Sequence, residues 1–153
     1  MKANLNSYVL FYPLYVTAIT LDRTFDSEVL EIDGFLLRAR LAVGEVTDEW
    51  IGLEPPDEKT AEGAQVYDNL LAMQAGFTKS ALGTLEFMLD RTYIRTSEAA
   101  RFAGELQGVL PTMMNFLDEP AKNQLREPIK GAASKETDPV LKRALVDLLS
   151  AMK

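Results

Sequence analysis

The chain has 153 residues, 47% of them hydrophobic and 25% charged, with no Cys, no His and a net charge of −7. A folded chain of this size buries roughly 70% of the surface its extended form exposes, so it can hold a core without disulfides or metals. Without thiol or imidazole it excludes Ser-His-Asp and Cys-His nucleophilic sites, thiolate or imidazole zinc sites and His general bases, and its acidity disfavours nucleic acid as a partner.

The first element is an apolar, aromatic run from Tyr8 to Tyr15, preceded by Lys2 and followed by Val16-Thr17-Ala18. It has the outline of a signal peptide, but the basic start is weak and Pro13 breaks the run. The expected location is cytoplasmic, with export the alternative if residues 1–18 are a signal. No stretch reaches the ~18–20 apolar residues that a membrane span requires. The rings of Tyr8, Phe11, Tyr12 and Tyr15 could instead line a ligand pocket, or cover a core edge or a dimer seam.

From Pro13 the pattern turns helical. Leu14, Ala18, Leu21, Phe25, Val29, Ile32, Leu36, Ala39 and Val43 recur at spacings of three and four, which predicts a helix from about Pro13 to Val43, or two if Thr24 to Ser27 breaks it. Gly44 suits the residue just past its end. A long loop is expected next, from Gly44 to about Thr60, stopped by Pro55-Pro56 and crowded with carboxylates around the only Trp. A second long helix follows from about Ala61 to Arg91, on Val66, Leu70, Met73, Phe77, Ala81, Leu85 and Met88. Within it Gly76 and Gly83 would let a neighbouring helix approach closely.

The remainder is shorter and more punctuated. Thr96 or Ser97 caps a helix from Glu98 to about Leu110, and Pro111 starts or kinks a segment through Leu117. Asp118 and Pro120 open another helix that Pro128 ends, and Asp138-Pro139 opens a terminal helix with an apolar face on Leu141, Ala144, Leu145, Leu148, Leu149 and Met152. The expectation is an all-α fold over residues 1–153 as one helical domain. It is a helical bundle of about four main helices, two long and antiparallel and the later ones shorter and Pro-broken.

Catalytic and metal chemistry find little support in the spacing. Glu28, Glu31, Glu86 and Glu105 fall on predicted helices, but the bundle-type carboxylate metal site also needs His at i, i+3. The only S-x-x-K is Ser150 to Lys153, and no phosphate-binding glycine loop is present. The expectation is therefore a protein that is not an enzyme and uses no metal or cofactor. Arg91, Arg95 and Arg101 with Tyr93 read as surface pairing with nearby acids. Met113, Met114 and Phe116 read as gap-fillers near Pro111.

Function is expected in the acidic segment. Asp48, Glu49, Glu54, Asp57 and Glu58, with Glu45 and Glu62 beyond them, face a single Lys59, and Trp50, Ile51 and Leu53 sit among them. Carboxylates steer a basic protein partner while an aromatic anchors it, as a neutralising, immunity-type inhibitor of a basic toxin or nuclease would require. The plainer alternative folds Trp50, Ile51 and Leu53 back as a lid on the bundle. Two other functions stay open: a small-molecule binding or sensing bundle, and a self-associating structural protein, for example a homodimer.

Overall fold

The computed structural model describes residues 26–53 and 55–153, without the side chains of Asp26, Ser27, Glu28 and Trp50. The fold is all-α, with six helices and no strand among the described residues: α1 (Asp26–Leu53), α2 (Ala61–Leu89), α3 (Thr96–Leu106), the single-turn α4 (Leu110–Met114), α5 (Glu119–Lys135) and α6 (Pro139–Ala151). The expected bundle of about four main helices is approximate, with six helices among the described residues. The start of the first predicted helix lies outside the described residues.

The core sits in the second half of the chain. α6 lies between α3 and α5, α2 packs along α5, and α1 lies against α2 and α3. Phe102, Leu106, Leu110, Met113, Leu125, Ile129, Leu141, Leu145 and Leu148 are fully buried in one cluster, each large side chain contributing about 1.5–3 kcal/mol of transfer free energy. Met113 and Met114 belong to this core, as their position near Pro111 predicts. Among the described residues, α1 gives the cluster Leu30, Leu37 and Leu41.

Local signals explain the helix ends. Thr60 Oγ1 accepts from Gly63 N at 3.0 Å, capping α2. Asp118 Oδ1 accepts from Ala121 N at 2.9 Å, and Asp138 Oδ1 from Val140 N and Leu141 N at 3.0 and 2.9 Å, so Asp118 and Asp138 are both N-caps. α3 begins at Thr96, two residues before the expected start, with Glu98 Oε2 accepting from Arg95 N at 3.3 Å.

Three expectations about glycine and proline are overturned. Gly44 does not end α1, which runs on to Leu53; a Cβ at Gly44 would stand 3.1 Å from Cε2 of Phe77, so the glycine lets α1 and α2 close on each other inside the helix. Gly76 and Gly83 do not mark such an approach, because a Cβ at either meets nothing within 4 Å. Pro128 does not end α5, which carries it internally and continues to Lys135. Burial of Ile129 and Ala133 beyond it offsets the lost backbone hydrogen bond.

Candidate functional site

Extension of α1 past Gly44 converts most of the expected loop into helix. Pro55 disfavours helical backbone at the residue before it, and the helix stops at Leu53. α2 then returns antiparallel, with Arg40 Nη1 donating to Gly76 O at 2.9 Å and also to Ser80 Oγ. Beyond the contact of Gly44 with Phe77 the two helices run on as an arm, residues 45–76, whose inner end still meets the body through Met73 on the core and Leu71, Gln74 and Ala75 beside the start of α5. Apart from Gly63, no described residue of the arm is buried.

The turn at the tip is built by backbone chemistry. Asp57 O accepts from Thr60 N at 2.9 Å and from Thr60 Oγ1 at 2.8 Å, and Asp57 Oδ1 accepts from Lys59 N at 3.0 Å. Gly63 is required here, since a Cβ would fall 1.9 Å from Asp57 O. Asp57 therefore holds the turn as well as carrying charge, a role that counting carboxylates in the sequence missed.

Four of the site residues named from the sequence can be placed in full. Asp48 and Glu49 are exposed on the last turns of α1, and Asp57 and Glu58 are exposed in the turn. Trp50 belongs to α1 by its backbone, while its side chain, the whole of Glu54, and Tyr8, Phe11, Tyr12 and Tyr15 lie outside the described residues. Leu53 is 76% exposed, so it does not fold back as a lid. The arm carries eight acidic residues and one basic residue, a net −7 equal to that of the whole chain. All other residues together are balanced at fifteen of each sign.

The other candidate groups disperse. Glu31, Glu86 and Glu105 are exposed, and no group of three or more acidic residues among the described ones is placed to hold a metal ion. Arg101 pairs with Glu31 at 3.5 Å and with Glu105 at 2.5 Å, and Arg91 donates to Thr96 Oγ1. Among the described residues no helix is long and apolar enough to cross a membrane.

A cleft of about 470 Å³ opens between α1 and α2. Leu36, Leu37 and Phe87 give it apolar walls, Arg40, Lys79 and Asp33 stand along it, and Gly76 and Gly83 leave it unfilled. The sequence held no sign of it, because its glycines read equally well as helix-contact positions. Comparison with known proteins finds no matching family model, no similar curated protein and no similar solved structure, so the functional reading stands on this chain's own geometry and charge.

Proposed function

We propose that this protein is a non-catalytic binding protein whose acidic arm meets a basic protein partner. The observation that supports the reading most is the concentration of the entire net charge on an arm with no buried described side chain. Such a surface contributes little to the core, while its field raises the rate and selectivity of encounter with cations. Asp48, Glu49 and Glu58 are among its exposed carboxylates free of the turn's hydrogen bonds, with Leu53 as apolar contact area beside them.

The test begins with affinity capture at low salt and elution by a salt step, followed by association kinetics with the captured basic protein. Charge reversal at Asp48, Glu49 and Glu58 together should slow association about tenfold or more at low ionic strength and flatten its salt dependence. Unchanged kinetics would refute the proposal. The α1–α2 cleft favours a second reading, binding of a small anionic molecule with an apolar body between Arg40, Lys79 and the Leu36–Phe87 walls. Gly83→Leu fills that cleft, and ligand uptake indifferent to the substitution would remove the second reading.

A further inference from the structure

α1 carries two apolar faces. Leu30, Leu37 and Leu41 point into the core, and the same stripe includes Gly34, where a Cβ would stand 3.0 Å from Phe102, and Gly44 against Phe77. A second stripe, Ile32, Phe35, Ala39, Ala42, Val46 and Leu53, repeats at alternating spacings of three and four, with Glu49 filling the one remaining place. At about 100° per residue this second stripe is centred about 150° from the first, on the opposite side of the helix. Its large members are exposed: Ile32 39%, Phe35 62%, Val46 47% and Leu53 76%.

An apolar stripe sustained at 3.5-residue spacing over three heptads is the pattern by which one helix seats another. Ala39 and Ala42 at its middle present no bulk, so a second backbone can come close there. Along one edge of the stripe run Glu31, Arg38 and Glu45, and its outer end enters the acidic arm. Resting on the reading of the arm as the seat of a basic protein, we propose that the partner's contacting element is a cationic amphipathic helix lying along the outer face of α1. Its apolar seam meets Ile32 to Leu53, and its Lys or Arg flanks meet the carboxylates of the arm.

Charge selects this occupant over a second copy of the chain. An antiparallel copy centred on Ala39 and Ala42 would bring each copy's Glu49 level with the other's Glu31 and Asp33 at both ends, against the single attractive approach of Arg38 to Glu45 nearer the middle. A parallel copy would bring two arms of net −7 side by side. Like charges at such flanks destabilise the pairing.

The test uses the full chain and three synthetic peptides of about three heptads: one with Leu at the seam and Lys at the flanks, one of the same composition scrambled, and one with Glu replacing Lys. Fluorescence anisotropy should show binding of the patterned Leu/Lys peptide, none of the Leu/Glu peptide, and at least about tenfold weaker binding of the scrambled one. Phe35→Ser and Val46→Ser, both at exposed positions, should each weaken the patterned peptide about tenfold with an unchanged helical circular dichroism spectrum. Equal binding of patterned and scrambled Lys peptides, indifferent to these variants, overturns the helix seat and leaves the basic-partner reading standing. Failure of both Lys peptides at low salt removes both. A dimer in sedimentation that Phe35→Ser splits would assign the face to a second copy and overturn the proposal.

Discussion

Replacing Gly63 by Ala tests whether the arm is energetically separate from the body. The new Cβ would lie 1.9 Å from Asp57 O, so the turn must open. Opening it removes the bonds from Thr60 N and Thr60 Oγ1 to Asp57 O and from Gly63 N to Thr60 Oγ1, at 2.9, 2.8 and 3.0 Å. At about 1 kcal/mol each these sum to about 3 kcal/mol, from which the better helix propensity of Ala returns up to about 1 kcal/mol. A net local loss of about 2 kcal/mol corresponds to roughly thirty-fold faster amide exchange where opening is local. Native-state hydrogen exchange should show that acceleration at residues 57–66 and little change at Leu125, Ile129, Leu141 and Leu145, which are fully buried in the body. Equal acceleration across the body, or no acceleration at the turn, would refute the separation.

Other substitutions probe the body and its surface. Gly76→Ala and Gly83→Ala, where a Cβ meets open space, should each stabilise the fold by up to about 1 kcal/mol in urea denaturation. Phe102→Ala removes a fully buried ring that also fills the space over Gly34 and should cost about 3–5 kcal/mol in the same assay. The Glu119 carboxyl is held below its ordinary range by its hydrogen bond to Lys122 and by the charge of that ammonium. Its pKa is depressed on folding, so its contribution is present above the unfolded pKa and fades as pH falls through the folded one. Lys122→Ala should move the Glu119 titration upward in carboxyl-carbon NMR.

The last helix was the most legible in the sequence, because its Asp-Pro opening and single apolar face point to one answer. α6 starts at Pro139 and buries Leu141, Leu145 and Leu148 as its spacing implies. α1 was legible as a helix and misread as a surface. The stripe through Val29, Ile32, Leu36, Ala39 and Val43 lies about 140° round the helix from Leu30, Leu37 and Leu41, with Val29 and Leu36 of it buried and Ile32 exposed, because the helix is apolar on more than one side and spacing alone cannot say which side a neighbour takes. Gly44 was ambiguous for a related reason: a glycine marks either a helix end or a close crossing, and only the ring of Phe77 decides between them. The acidic segment was visible as charge but not as an arm. Its shape depends on α1 outlasting Gly44, a tertiary fact, and the role of Asp57 depends on a turn whose hydrogen bonds the sequence does not display.

The confinement of charge to one end also governs how the molecule meets any charged surface. The sequence outside the arm, balanced at fifteen positive and fifteen negative residues, feels almost no net force in a uniform potential, while the arm feels all of it. The pull is therefore applied off-centre and becomes a torque. At about 0.1 M salt, where fields reach about 10 Å, the chain turns tip-first before contact. On an anion-exchange matrix it should adsorb by residues 45–76 and leave the α3–α6 body facing outward. A body freed of the arm would sit near zero net charge at neutral pH and lose the mutual repulsion that keeps copies apart.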